Sequence, residues 1–200
     1  MKVNTMKRLV VRVSVSLTLA LTITCSGSGS VQKKAGEQAT TRLDAASNER
    51  VKVQAQELSD AVLKADYARA ADLTYPRLIE LIGGRAKFIS AMDEEMKQVQ
   101  SDVFRIESIA VGEPRDVIEV EGQIYAIVPT TMKMKVIEGT LVGEAFMIGV
   151  SADRGQNWTF VDSGSSSMDT KMLKTLFPSA AEKLRIPEVK RPMLYRTPDK

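Results

Sequence analysis

Residues 103–162 form a succession of strand-like segments joined only by short turns, and this succession constrains the fold more than any other feature. Apolar and polar residues alternate strictly at 132–136, with the sequence MKMKV. Such period-two alternation is typical of a strand with one buried face. Parallel strands need long crossover connections, usually helical, and none is visible. We therefore expect an antiparallel meander of four or five strands.

Turn-forming residues divide this part of the chain. We predict strands at 103–111, 117–128, 132–136, 141–150 and 157–162. The second strand is predicted to end at Pro129, because proline cannot donate to a strand ladder. A turn is expected at 138–140.

The segment 151–163, SADRGQNWTFVDS, is predicted to be a β-hairpin. Its pattern of Ser151, Asp153, Gly155 and Trp158 fits the Asp-box. Asp153 is expected to accept backbone amides across the turn, Gly155 to take a positive φ, and Trp158 to pack beneath. The motif is similar to one that sialidases carry in several copies around a propeller. A single copy in a chain of 200 residues is interpreted as hairpin chemistry and not as a sign of sugar cleavage.

The preceding half of the chain has helical periodicity. Apolar residues recur at steps of three and four from Val51, and Asn48 is a candidate N-cap. Pro76 should end this helical segment and begin a short helix that closes at Gly83. Further helices are predicted at 86–100 and 168–177.

The first 24 residues resemble a secretory signal, with a basic start followed by a short apolar core. Cys25 lies where bacterial lipoproteins carry their lipidated cysteine, and a Ser/Gly run follows it as a flexible tether. Thr24 beside the cysteine departs from the usual signal, so ordinary cleavage giving a soluble exported protein stays open as an alternative. The expected location is the bacterial cell envelope, with the membrane reached through lipid on Cys25.

Composition excludes several classes of function. Of 28 Lys and Arg residues, four precede residue 25, which leaves 24 against 25 acidic residues, a net charge of −1. A body without a basic block is not expected to bind nucleic acid. The chain has no histidine and one cysteine, so we expect no metal and no cofactor.

Helices followed by a meander indicate an α+β fold, with N-terminal helices on one face of a curved antiparallel sheet and a C-terminal helix. In this order, with its 65–72 segment ADYARAAD, Gly83-Gly84 and a last strand WTFV, the chain resembles the nuclear-transport-factor-two-like (cystatin-like α+β roll) superfamily. The resemblance implies a cone-shaped cavity between sheet and helices.

The residues that such a cavity would use for ligand binding are Tyr67, Asp72, Tyr75, Tyr125, Met134 and Trp158. Acid–base chemistry of the isomerase type would draw on the same tyrosines and Asp72, with Asp66 and Glu144. None of them stands in a catalytic motif of the family, so no catalytic residue is assigned.

The expected organisation is a signal at 1–24, a tether at 25–48, one α+β domain at 49–186 and a proline-rich tail, extended or loose, at 187–200. The leading hypothesis is a non-enzymatic envelope protein that binds a small apolar ligand or a protein partner. Two alternatives remain: a small isomerase or dehydratase-like enzyme, and an accessory subunit that forms a homodimer through its sheet face.

Overall fold

The computed structural model describes residues 42–99, 104–163, 170–188 and 190–196. The predicted signal, Cys25 and most of the tether lie outside these residues. Five helices are present in the described parts: α1 Ala45–Leu63, α2 Tyr67–Leu73, α3 Pro76–Ile82, α4 Arg85–Val99 and α5 Thr170–Leu176. The predicted α+β class is confirmed.

Helix α1 begins earlier than the sequence suggested. Its N-cap is Asp44, whose carboxylate accepts the backbone N–H of Ser47 at 2.6 Å. This N–H lies in the first turn of the helix and would otherwise lack an acceptor. Asn48 lies inside the helix, so its prediction as N-cap was wrong. Residues 45–48, predicted as linker, are the first turn of α1.

The helical half turns sharply at two places. Ala65 takes a φ of 58° after α1, and Asp66 then caps α2 by accepting the backbone N–H of Arg69 at 3.0 Å. Pro76 occupies the first turn of α3, and Gly83 ends it in the left-handed region with φ 101°, both as predicted. Between α2 and α3, Tyr75 donates its backbone N–H to the carbonyl oxygen of Phe160 at 2.9 Å. This hydrogen bond holds the connection between the two helices against the sheet.

Within the described ranges, six strands form one antiparallel sheet: β1 Arg105–Val111, β2 Arg115–Val120, β3 Gln123–Val136, β4 Gly139–Ser151, β5 Thr159–Asp162 and β6 Met193–Arg196. β3 and β4 are long and pair over thirteen positions. The four short strands flank this central hairpin two to a side: β1 and β2 both pair with β3, and β5 and β6 both pair with β4. The sheet is strongly curled.

Two strand boundaries differ from the prediction. The expected strand 117–128 is divided by a two-residue turn in which Glu121 and Gly122 both have positive φ, the geometry of a tight hairpin turn. Conversely, β3 runs straight through Pro129. The carbonyl oxygen of Pro129 accepts the N–H of Gly112 at 2.8 Å, in the connection between β1 and β2. Because N–H and C=O of one residue point to the same side of a strand, the missing donor of Pro129 faces this gap and breaks no ladder bond.

Both faces of the sheet carry a core, whereas the sequence suggested helices on one face. On the inner face, α1 and α2 pack through Val51, Leu58 and Leu73 against Val128 and other buried strand residues. On the outer face, α5 and the turn that follows it, 177–184, cover the half of the sheet that contains Ile127, Ile148 and Val161. At this end of the sheet, the outer face is therefore covered by the chain's own C-terminal helix and turn.

The C-terminal segment is part of the sheet. Residues 187–200 were predicted to be extended or loose. Met193–Arg196 is extended, but it also pairs with the first four residues of β4, and this pairing was not predicted. Pro187 and Pro192 precede this strand, and residues 197–200, which include Pro198, lie outside the described residues. The pairing was missed because a four-residue strand at a sheet edge carries little signal of its own.

Candidate functional site

The part of the sheet next to the β3–β4 turn differs from the rest, and we call it the distal half. It comprises 105–109, 132–136, 139–143 and 193–196. Directly opposed residues of an antiparallel sheet present their side chains on the same face. The strand register therefore defines which residues form rows across its four strands.

The inner face of the distal half is apolar. One row contains Ile106, Met134, Leu141 and Leu194, in that order across the sheet. The next row contains Ile109, Met132 and Gly143. A Cβ at Gly143 would lie 3.6 Å from Cγ of Pro192, so Pro192 packs closely beside this glycine. Met132 thus lies opposite a glycine against which Pro192 packs.

These residues belong to neither core. Met132, Met134, Ile106, Ile109 and Leu141 are all half-buried, and none is part of the two buried clusters of the described chain or of the side chains packed against them. Leu194 is 41% exposed. Met134, predicted as a ligand-binding candidate from the alternation of its strand, lies at the centre of this apolar face.

The outer face of the distal half is cationic. Arg105 lies directly opposite Lys135, and Lys133 is two residues further along the same strand. Tyr195 pairs with Thr140, which itself pairs with Lys135, so the tyrosine lies on the same face. Within the described chain these three cations form no ion pair.

Trp158, predicted as a ligand-binding candidate, is 1% exposed and belongs to the inner core. Its indole N–H donates to the carbonyl oxygen of Gly155 at 3.2 Å, and its backbone N–H donates to Oε1 of Gln54 at 2.7 Å. Both polar groups are thus satisfied within the protein, and the indole closes the hairpin as the sequence indicated.

The other predicted features of this hairpin are confirmed. Oδ1 of Asp153 accepts the backbone N–H groups of Gln156 at 3.1 Å and Asn157 at 2.9 Å, and Gly155 has a φ of 81°. These hydrogen bonds, above all those from Asn157, lower the pKa of Asp153 to about 2. The carboxylate is committed to the turn and serves the local structure.

Tyr75 and Tyr125 lie together on the outer face, away from Met134. Both rings contact Phe177, with centroid distances of 5.3 Å and 5.9 Å. Tyr125 is buried and donates its hydroxyl to Oε1 of Gln123 at 2.6 Å. Burial raises the pKa of Tyr125, and the neighbouring Tyr75 and Glu121 add to this. The pair fastens the 177–184 turn to the sheet.

The remaining candidates lie at the helices and at the protein surface. Tyr67 is half-buried between α2 and α4, and burial, followed by the charge of Asp93, raises its pKa. Asp72 is exposed and pairs with Arg85, Asp66 caps α2, and Glu144 pairs with Lys190 at 3.0 Å. The predicted site residues therefore do not converge on one place.

An acid–base site of the isomerase type needs a carboxyl group in an apolar setting. The buried polar residues of the described chain are serines and threonines: Ser47, Ser59, Thr74, Thr130, Ser151 and Ser163. No Asp or Glu within the described ranges is buried, and no group of three or more Cys, Asp or Glu there is placed to hold a metal ion. The structure thus offers the enzyme alternative no buried carboxylate in these parts of the chain.

Comparison of the chain with family models, with functionally characterised proteins and with experimentally determined structures gave no match. Among the helices of the described residues, none has both the length and the apolar character that a membrane span requires.

Proposed function

We propose that this is an exported, lipid-anchored protein of the bacterial cell envelope that binds a small apolar ligand on the inner face of the distal half of its sheet. The export signal at 1–24 and Cys25 in a lipoprotein-like position support the location. The order of helices and curled sheet supports kinship with nuclear-transport-factor-two-like rolls.

One observation carries the ligand proposal. The inner face has apolar side chains in two successive rows, and they remain half-buried outside both cores although the neighbouring half of the same face is fully packed. Leaving apolar surface partly in water costs roughly 25 cal/mol per Å², so a ligand that covers it gains this free energy.

The chemistry of the face favours a hydrocarbon chain. Met132 and Met134 are flexible, polarizable side chains that adapt to irregular apolar shapes. Gly143, opposite Met132, adds no polar side chain to this face. The described residues of this face provide no charged group in the two rows that would require a polar ligand. We therefore infer a ligand whose bound part is an acyl chain.

The test uses the full chain and a pyrene-labelled long-chain fatty acid, whose fluorescence reports binding. The double variant Met132→Gln/Met134→Gln keeps side-chain length and makes the face polar. We expect it to bind the probe at least about tenfold more weakly, because two apolar contacts are lost. Leu81→Gln, at a 53% exposed position on α3, is the matched control and should bind as wild type does.

Equal affinity of the double variant and the wild type, with both folded by circular dichroism, would rule out the inner face as the binding site. The location has a separate test. Mass spectrometry of the chain from a native membrane fraction should find Cys25 as the first residue with added acyl mass. An unmodified chain starting later would remove the lipid anchor from the proposal.

A further inference from the structure

Large apolar side chains that are exposed concentrate at one end of the sheet. Nine such side chains occur in the described ranges, and five of them belong to or adjoin the distal half of the sheet. These five are Phe104, Ile137, Met193, Leu194 and Tyr195. Ile137 is the most exposed of the nine, at 75%. Single exposed apolar residues are ordinary, but a group of them marks an interaction site.

The strand register brings three of them to the turn between β3 and β4. Ile137 is itself in this two-residue turn, because Val136 pairs with Gly139. Phe104 directly precedes β1, whose first residue lies opposite Lys135. Tyr195 lies opposite Thr140, one residue into β4. We call Phe104, Ile137 and Tyr195, with the turn, the sheet tip.

Cations lie beside the sheet tip, three of them on the outer face. Arg105 and Lys135 are directly opposed, Lys133 adjoins them, and Arg196 lies opposite Gly139. Like charges in directly opposed positions destabilise a sheet. The acidic residues of this region are Glu107 in β1 and Glu138 in the turn, and neither forms an ion pair with another described residue. An anionic partner would relieve the repulsion between Arg105 and Lys135.

We propose that the sheet tip binds the surface of an anionic lipid bilayer, with Ile137 and the two aromatic rings in the headgroup region and Arg105, Lys133 and Lys135 against lipid phosphates. Aromatic rings favour the membrane interface, and Lys and Arg near it are attracted to anionic lipids. An exposed apolar residue beside a cluster of cations fits this layered partner, because the apolar side chain enters the boundary of the acyl chains while the longer cationic side chains reach the headgroups.

This contact is separate from the proposed acyl chain site on the inner face and from any lipid on Cys25. It would fix the orientation of the domain on the membrane. The tip would face the bilayer, and α3, near the opposite end of β4, would face away from it.

The experiment measures the surroundings of the sheet tip itself, so membrane insertion of residues 1–24 alone does not give a positive result. In the full chain with Cys25→Ser, Ile137→Cys is labelled with an environment-sensitive nitrobenzoxadiazole dye. The control carries the same dye at Leu81→Cys. Each protein is mixed with phosphatidylglycerol-containing vesicles, with or without lipids brominated near the headgroup, and with pure phosphatidylcholine vesicles.

We expect the dye at position 137 to brighten several-fold on phosphatidylglycerol vesicles and to be quenched by the brominated lipid, while the dye at position 81 changes little. Lipid titrations of the dye at 137 measure the affinity for vesicles. Adding Lys133→Gln and Lys135→Gln should weaken this affinity about fivefold for each charge removed. The proposal is supported if the dye at position 137 is quenched more than the dye at position 81 and if this difference requires anionic lipid.

Equal quenching at positions 137 and 81, or a dye at 137 that stays in water on anionic vesicles, overturns it. So does a dye at 137 that responds only to added envelope protein and not to lipid, since the sheet tip would then be a protein interface. Loss of fatty acid binding in the Met132→Gln/Met134→Gln variant has no bearing on these results, so the two proposals fail independently.

Discussion

The side-chain amide of Gln54 bridges α1 to the hairpin that contains Trp158, although the two residues are 104 positions apart in the chain. Oε1 of Gln54 accepts the backbone N–H of Trp158 at 2.7 Å, and its Nε2 donates to the carbonyl oxygen of Gln156 at 3.1 Å. The side chain of Gln54 thus makes the hydrogen bonds to the hairpin backbone that a neighbouring strand would otherwise make.

Substitution of Gln54 by alanine should destabilise the protein. The N–H of Trp158 would lose its acceptor at a partly buried position, and an unsatisfied buried donor costs roughly 1–3 kcal/mol. Urea denaturation followed by the fluorescence of Trp158 measures the loss. Gln98→Ala, at an exposed position of α4, is the control and should change the free energy of unfolding by less than about 0.5 kcal/mol. A loss of equal size in both variants would show that the bridge contributes nothing.

Asp153 should make the stability of the protein depend on pH in the acid range. Its pKa is lowered to about 2 in the folded protein from 3.8, so its contribution is complete above pH 4 and is lost as the pH falls through 2. Because the carboxylate is exposed, we expect Asp153→Asn to cost only about 1 kcal/mol at pH 7. Thermal unfolding from pH 7 to pH 2 should show this difference shrinking towards zero. A difference that stays constant over this range would contradict the assignment.

Gly149 is predicted to reject a side chain, whereas Gly143 on the same strand and face should accept one. A Cβ at Gly149 would lie 3.2 Å from ring atoms of both Phe160 and Trp158, in a core with little freedom to move. We expect Gly149→Ala to cost about 1–3 kcal/mol through overpacking. Gly143→Ala meets only Pro192 at ordinary contact distance and should be neutral or slightly stabilising. Chemical denaturation of the two variants checks the contrast, and equal effects would refute it.

Phe177 is expected to be the main attachment of the C-terminal turn to the outer face of the sheet. It is 1% exposed and contacts Tyr75 and Tyr125. Phe177→Ala should cost about 3–5 kcal/mol, as truncation of a buried aromatic ring usually does. Tyr195→Ala, which truncates an exposed ring, should leave the free energy of unfolding nearly unchanged. Guanidinium denaturation measures both, and a cost below about 1 kcal/mol for Phe177→Ala would refute this role.

Sequence reasoning succeeded where short-range chemistry decides the structure. The hairpin around Asp153 and Gly155 followed from side chains that bond within five residues of one another. The break at Pro76 and the end of α3 at Gly83 followed from the φ that each residue permits. The α+β class followed from the helical spacing of apolar residues in the first half of the chain and from their alternation in the second half.

It failed where the deciding partner is distant. Pro129 was expected to end a strand, but its carbonyl group meets Gly112 in a gap between two strands, and only the sheet topology makes that position harmless to the ladder. The turn at Glu121-Gly122 was missed because Glu-Gly is a weaker hairpin signal than Asn-Gly or Asp-Gly. Strand β6 was missed because its identity depends on β4, about fifty positions earlier.

The candidate site shows the same division. Met134 was found from alternation within its own strand. The tyrosines and Asp72 were grouped by residue type. In the folded protein they lie on helix α2 and on the outer face of the sheet. The rows formed by Ile106, Met134 and Leu141 required the pairing of three strands, which the sequence does not state.

The uninterrupted pairing of β3 with β4 has a consequence for the order in which the chain folds. Their thirteen residue pairs extend from a two-residue turn, so each new pair closes only a small additional loop. We expect this hairpin to form early, within microseconds to milliseconds, and to serve as a template for contacts of high sequence separation such as Gln54–Trp158. Because synthesis proceeds from the N-terminus, α1 must then wait for the second half of the sheet before it has a surface on which to pack.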